Sequence, residues 1–168
     1  MKKTISLWTL SLLFFSLSGQ EDQPVEIKNN EFGIHAGFVT GLGLSYRHWF
    51  QDAGIQMTIL PIKTQDFTFV STGFSFLYAI HRTKYIMVYG YLGNHYYYNE
   101  HDEDIYNPNT GLYVTDKVIQ SGYNIGFGPG FAFGKVVRFN IQLGYGFHDV
   151  TDEFNLYPTG EMGVYFLF

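Results

Sequence analysis

The segment from 137 to 148 alternates strictly between apolar side chains and polar or small ones. The apolar positions are Val137, Phe139, Ile141, Leu143, Tyr145 and Phe147, and the intervening ones are Arg138, Asn140, Gln142, Gly144, Gly146 and His148. A period of two puts the two sets on opposite faces of a β-strand. Since a soluble sandwich would carry more charge on its polar face, the pattern predicts a strand with one face toward lipid and the other toward a barrel interior.

The rest of the chain also contains segments that are predicted to form β-strands. Eight segments have strand character, at approximately 32–39, 42–50, 53–61, 69–81, 85–98, 119–133, 137–148 and 157–168. All but the first reach the roughly 9–11 tilted residues that a bilayer requires. Short turns near 51–52, 81–84 and 134–135 alternate with mostly longer, acidic connections, including 99–118. The sequence thus predicts an all-β fold, an eight-stranded antiparallel transmembrane β-barrel with short periplasmic turns and longer extracellular loops.

Composition agrees with a barrel in lipid. Aromatic residues make up 20% of the chain and charged residues only 15%, with 19 glycines and a mean hydropathy of −0.04. Apolar residues at every second position give such an average. The chain has no cysteine, so disulfides are excluded, and its net charge of −5 argues against a nucleic-acid partner.

The N-terminus predicts export. Lys2 and Lys3 precede an apolar run from Ile5 to Leu17, which is shorter than the roughly 20 residues that a spanning helix needs. The small residues Ser16 and Ser18 suit signal peptidase. We therefore expect a cleaved signal peptide at 1–19, with cleavage after Ser18 or Gly19, and a barrel domain at 20–168.

The segment 161–168 carries a resemblance to a known family. Its polar, glycine and aromatic positions resemble the signal that outer-membrane proteins present to their assembly machinery, and they are Glu161, Gly163, Phe166 and Phe168. The whole mature chain resembles the small eight-stranded barrels of the OmpA/OmpX type, and the segment 43–47 is similar to uncharacterised small outer-membrane barrels. The resemblance implies the outer membrane of a Gram-negative bacterium. The implied partners are outer-membrane lipid, lipopolysaccharide and the barrel-assembly machinery.

The interior of an eight-stranded barrel is wide enough only for side chains or one small ligand. Inward positions predict a polar network that includes Arg47, Arg138, Asn140, Gln142 and Glu161. Because an unpaired buried carboxylate is costly, we expect Glu161 to pair with Arg47 or Arg138. This arrangement favours a filled lumen, and a narrow pore or a barrel that binds an ion or a small hydrophobic ligand is the alternative.

The acidic connection near residue 100 has two interpretations. Glu100, Asp102 and Asp104 offer oxygen ligands suited to a divalent cation such as calcium, although the spacing departs from the calcium-hand pattern. A solvated acidic loop is the simpler interpretation. We therefore expect no cofactor, with a divalent cation as the alternative.

Catalysis is not expected, and the function predicted is one of structure or interaction. The candidates for chemistry are Ser121, His148 and Asp149, but alternation puts Ser121 toward lipid and His148 toward the lumen. The sequence favours a structural or interaction protein, or an accessory subunit that docks on another outer-membrane protein. A lipid-modifying enzyme ranks below the pore and ligand-binding alternatives.

Overall fold

The computed structural model of the protein describes residues 28–107, 112–150 and 155–168. The predicted signal peptide at 1–19 lies outside these residues. The described part of the chain contains no helix long and apolar enough to cross a membrane.

Eight antiparallel strands close into a barrel in sequence order, with β1 paired to both β2 and β8. The predicted fold class is confirmed, and the main differences in strand bounds concern β5 and β6. The strands are β1 Asn30–Gly37, β2 Gly41–Phe50, β3 Ala53–Lys63, β4 Phe67–Arg82, β5 Ile86–Asn107, β6 Leu112–Phe133, β7 Val137–His148 and β8 Asn155–Leu167.

The barrel has a polar interior and an apolar outer wall. In β7 the side chains of Arg138, Asn140 and Gln142 are buried. Those of Ile141 and Leu143, which lie on either side of Gln142 in the sequence, are exposed. Strand β8 follows the same alternation. These two strands therefore alternate between buried and exposed side chains in the way that the sequence predicts for a membrane barrel.

A belt of exposed apolar side chains surrounds the barrel. It includes Ile34, Leu44, Met57, Phe76, Ile80, Leu92, Phe127, Phe139, Leu143 and Met162, of which Ile80 and Met162 are 68% and 67% exposed. Soluble monomers rarely expose apolar patches of more than a few hundred Å². A wall of this kind is matched to hydrocarbon rather than to water, which is the physical basis for assigning the strands to a bilayer.

Strands β5 and β6 are much longer than predicted. Their pairing continues without a break through Glu100↔Ile119 and Asp102↔Lys117 to Asn107↔Leu112. The expectation that 99–118 is a loop was therefore wrong. An acidic ladder above the bilayer needs no lipid-facing apolar side chains, so this part of the hairpin lacks the alternation that marks the membrane strands.

The connection between β1 and β2 folds into the barrel instead of extending outward. Val39 and Thr40 are completely buried, whereas Phe38 remains exposed. Neighbouring glycines make room for this connection: a Cβ at Gly73 would collide with the backbone of Thr40, and one at Gly126 would lie 2.7 Å from a methyl group of Val39. Residues 38–40 thus form a plug at the outer end of the lumen.

Candidate functional site: the barrel lumen

The periplasmic half of the lumen is organised around Glu31. Its carboxylate oxygen Oε1 accepts hydrogen bonds from Arg138 NH1 at 2.5 Å and from Trp49 Nε1 at 3.2 Å. Its other oxygen, Oε2, lies 3.8 Å from Arg47 NH1. All four residues are at most 7% exposed. Because the site is buried, these interactions are much less screened than surface ion pairs.

The predicted ion pair of Glu161 with Arg47 or Arg138 is wrong. Both arginines pair with Glu31, which lies just before the predicted start of the first strand at residue 32. Starting β1 two residues earlier would have placed Glu31 on the inward face with His35, since the two are four residues apart in one strand.

Arg47 is held by aromatic and amide groups as well as by charge. Its guanidinium carbon lies 4.0 Å from the ring centre of Tyr165 and 5.6 Å from that of Tyr89, and its Nε donates to Gln56 Oε1 at 2.7 Å. These contacts lock the guanidinium in the centre of the lumen.

The remaining predicted members of the network are also inside. Tyr89 donates a hydrogen bond to Asn140 Oδ1 at 2.5 Å, and Gln142 is completely buried beside them on β7. The five predicted lumen residues Arg47, Arg138, Asn140, Gln142 and Glu161 are thus all buried in the barrel, but at two different levels.

Glu161 occupies the outer half of the lumen, where it fastens the plug. Its Oε1 accepts a hydrogen bond from the backbone N–H of Val39 at 2.8 Å, and its Oε2 accepts one from the hydroxyl of Thr40. His35 Nε2 lies 2.5 Å from Thr40 Oγ1 and 3.5 Å from Glu161 Oε2. The carboxylate therefore satisfies polar groups of the connection rather than an arginine.

A second set of bonds holds the plug from the opposite wall. The carbonyl oxygen of Phe38 accepts from His95 Nδ1 and from Asn124 Nδ2, each at 2.9 Å. His95 Nε2 in turn lies 2.9 Å from Ser71 Oγ. The plug is thereby fixed to β4, β5, β6 and β8 through polar side chains.

The serine–histidine pairs Ser71–His95 and Ser121–His148 do not resemble an accessible catalytic centre. Ser71 contacts His95 but is completely buried and also accepts a hydrogen bond from the backbone N–H of Leu42. The predicted candidates are separated: Ser121 is exposed on the outer wall, whereas His148 packs edge-on against Phe38. The geometry assigns the Ser71–His95 contact a structural role.

The acidic residues of the predicted cation loop lie on one face of the β5–β6 hairpin. Glu100 accepts a 2.7 Å hydrogen bond from Lys117 Nζ, and Asp104 accepts one of 2.7 Å from the hydroxyl of Thr115. The ammonium of Lys117 lowers the pKa of the Glu100 carboxyl, and the hydroxyl of Tyr98 adds to this effect. Within 28–107, 112–150 and 155–168 no three His, Cys, Asp or Glu side chains are grouped to hold a metal ion, so cation binding by Glu100, Asp102 and Asp104 stays a prediction.

The residues of the predicted assembly signal point in two directions. Phe166 and Phe168 are exposed on the apolar wall, whereas Glu161 and Gly163 face the lumen. In the folded barrel only the aromatic half of the motif is accessible from outside. Its recognition by assembly machinery stays a prediction.

Comparison with solved structures shows the barrel fold. The N-terminal β-barrel domain of Pseudomonas aeruginosa OprF matches with a TM-score of 0.50 and 12% identity, over 83% of this chain and 96% of the other. Neisserial surface protein A, NspA, matches with a TM-score of 0.44 and 16% identity. The attachment invasion locus protein Ail of Yersinia pestis, solved with the heparin analogue sucrose octasulfate, matches with a TM-score of 0.42 and 16% identity. Each of these two covers 83% of this chain and 94% of its own. No protein-family model and no curated protein matches the chain.

Proposed function

We propose that this chain is an outer-membrane barrel with a filled, non-conducting lumen that acts as a structural or interaction protein, including as an accessory subunit of an outer-membrane assembly. The observation that carries the proposal is the lumen itself. Glu31 and its arginines occupy the periplasmic half, and Glu161 fastens the 38–40 plug in the outer half. Because a barrel filled at both levels has no open channel, we expect it to act through contacts of its outer surface with other molecules.

The apolar wall supports the proposed location. A closed barrel with an outward hydrophobic belt is the β architecture that spans a membrane, because no strand edge is left unpaired in lipid. Under this proposal the chain is exported with a cleaved signal peptide, inserted by the barrel-assembly machinery of a Gram-negative cell and surrounded by phospholipid and lipopolysaccharide. Catalysis is not part of the proposal.

The β5–β6 hairpin is the element best placed to meet a partner. Pairing of β6 with β7 begins only at Ile125, and Tyr123 O accepts a hydrogen bond from Val150 N, so β6 from Leu112 to Gly122 has a ladder to β5 and no second strand ladder within the described residues. An edge of this kind presents backbone N–H and C=O groups to an added strand. The hairpin also carries Glu100, Asp102, Glu103, Asp104 and Asp116 against one lysine, Lys117.

The first test is to extract the protein from its native outer membrane in mild detergent and to determine the mass of what accompanies it. A tag is inserted in 105–112, a stretch that includes the last residue of β5, Asn107, and the first of β6, Leu112. A companion at fixed stoichiometry supports the subunit proposal. Migration as a monomer from intact membranes contradicts that part of it.

A shortened hairpin then tests where the companion docks. His101 and Val118 face each other in register, so a two-residue Asn-Gly turn between them replaces residues 102–117 without changing the barrel. The matched control keeps the full hairpin and changes Asp102 and Asp104 to Asn. Loss of the companion in the first variant and retention in the control assigns docking to the strand edge, while loss in both assigns it to the acidic charge. Retention in both variants rules out the part of the hairpin beyond His101 and Val118.

A narrow pore is the second candidate, because the plug is only a short connection. The latch formed by Glu161 on Val39 and Thr40 is one of the two sets of side-chain contacts that fix it. We expect the wild-type protein to be silent in planar bilayers at high salt. If it conducts, the filled-lumen proposal fails and the pore takes its place.

A further inference from the structure

The periplasmic half of the lumen carries more cationic than anionic charge. Arg47 and Arg138 share the single carboxylate of Glu31, and a third guanidinium, that of Arg82, lies 4.7 Å from the ring centre of Trp49. Because Trp49 itself donates to Glu31, all three arginines belong to one cluster. Three guanidinium groups and the Glu31 carboxylate leave a formal excess of two positive charges, which the exposed carboxylate of Asp52 offsets only in part through its attraction to Arg82.

Several donors of this cluster are buried and have no acceptor. Within the described part of the chain, NH1 and NH2 of Arg47, Nε and NH2 of Arg82, and Nε of Arg138 make no hydrogen bond. Glu31 Oε2, which lies 3.8 Å from Arg47 NH1, also makes none, so one unpaired oxygen of the shared carboxylate stands against five unpaired donor atoms. Buried charged groups are normally both paired and hydrogen-bonded. The donors of the cluster therefore exceed the acceptors that its own carboxylate can supply.

The position of Arg82 connects the cluster to the periplasmic mouth. Arg82 ends β4, beside the turn that carries Lys84, and its side chain is only half-buried. Most of the exposed charged side chains around this mouth are cationic. Among the described residues they comprise three lysines, Lys28, Lys84 and Lys135, and one carboxylate, Asp52. A cationic rim above a low-dielectric site concentrates small anions from the adjoining solution.

We propose that Arg82 and Arg138 form a binding site for a small oxyanion, a phosphate or carboxylate group, at the periplasmic mouth of the lumen. Arg47 supplies a fixed positive charge behind them and is too enclosed to be a primary ligand. Guanidinium groups suit this ligand because their planar donors match two oxygens of one phosphate or carboxylate. The group comes either from a soluble periplasmic anion or from the headgroup of an inner-leaflet phospholipid.

Trp49 provides the readout, since it is the one tryptophan in residues 20–168 and lies directly beneath Arg82. Inorganic phosphate is titrated at constant ionic strength into the exported protein in a neutral detergent, and the intensity and wavelength of Trp49 emission are recorded. We expect a saturable change in emission, because phosphate bound at Arg82 alters the charge next to the buried indole.

Two substitutions at one position and one control make the test specific. Arg82→Gln should weaken the phosphate affinity about tenfold or more, as expected for a charge-assisted hydrogen bond, and Arg82→Lys should fall between it and wild type. Lys63→Gln removes one exposed charge at the outer end of β3, away from this mouth, and should leave the affinity within about twofold. Arg82→Lys carries the comparison if Arg82→Gln does not fold. Equal affinity in the Arg82 variants and wild type, or an equal loss in Lys63→Gln, overturns the proposal.

A lipid arm distinguishes the two sources of the oxyanion. The same protein is placed in nanodiscs of phosphatidylcholine alone or with phosphatidylglycerol, and Trp49 emission is compared between the two without added phosphate. A response to free phosphate in detergent assigns the site to a soluble anion. No such response, together with a change of emission in phosphatidylglycerol that Arg82→Gln abolishes, assigns it to the headgroup. Failure of both arms refutes an oxyanion site.

Discussion

Replacing Glu31 with glutamine isolates the charge at the centre of the lumen, because the substitution keeps the shape of the side chain. The amide oxygen can still accept from Trp49, but Arg138 and Arg47 lose the one carboxylate they share. Breaking a buried ion pair from one side costs about 3–5 kcal/mol, since it leaves the partner charge buried without compensation. We expect Glu31→Gln to lower the free energy of unfolding by that amount.

The assay is equilibrium unfolding in urea of the barrel folded into lipid vesicles, followed by Trp49 emission. Glu100→Gln is the matched control, since it makes the same chemical change in a solvent-screened ion pair on the hairpin and should therefore cost much less than Glu31→Gln. The double variant Glu31→Gln/Arg138→Gln should cost less than the sum of the single variants, because it removes both members of the pair.

Two results would refute this reasoning. One is a cost below about 1 kcal/mol for Glu31→Gln, which would mean that water already screens the cluster. The other is simple additivity in the double variant, which would mean that Arg138 and Glu31 contribute independently despite their 2.5 Å contact.

Three further outcomes are expected. Gly73→Val should cost about 1–3 kcal/mol or more and produce conductance steps, because its side chain collides with the backbone of Thr40 in the plug. Phe76→Arg, on the apolar wall, should cost about 2–4 kcal/mol in vesicle unfolding. Lys117→Gln should raise the pKa of Glu100 in NMR titration, because it removes the ammonium that lowers this pKa in the wild type. The lowered pKa stabilises the folded wild type above the unfolded-state pKa of Glu100, and this stabilisation is lost as the pH falls through the folded-state pKa. The stability of the variant should therefore depend less on pH in the acid range.

The membrane strands could be predicted because the bilayer imposes a period of two on them. Lipid requires apolar side chains at alternate positions, and a narrow lumen requires polar or small ones between, so β7 and β8 are recognisable without any structure. Above the membrane this constraint ends. Strand β5 continues to Asn107, and β6 begins as early as Leu112, because the two strands pair with each other there. The acidic sequence of this part contains no alternation that would predict such pairing.

The lumen contacts could not be predicted, for a different reason. Alternation identifies which side chains point inward but not at which level two of them meet, because that depends on strand tilt and register around the whole ring. Glu161 and Arg138 both point inward, yet register places Glu161 opposite Gln142 and Arg138 opposite Tyr165. The 38–40 plug was invisible to sequence because its burial depends on glycines contributed by distant strands.

The two buried carboxylates have different partners and should therefore respond differently to the same substitution. Glu31 compensates guanidinium charge, whereas Glu161 accepts hydrogen bonds from the Val39 N–H and the Thr40 hydroxyl. In Glu161→Gln the amide oxygen can keep the Val39 bond, and the amide nitrogen can donate to Thr40, whose hydroxyl then donates to His35. We expect Glu161→Gln to cost about 1 kcal/mol or less and to leave the bilayer silent, while Glu161→Leu removes the latch and opens it. If Glu161→Gln destabilised the barrel as much as Glu31→Gln, the outer carboxylate would have to be compensating a charge, and His35, 3.5 Å from its Oε2, would be the residue carrying it.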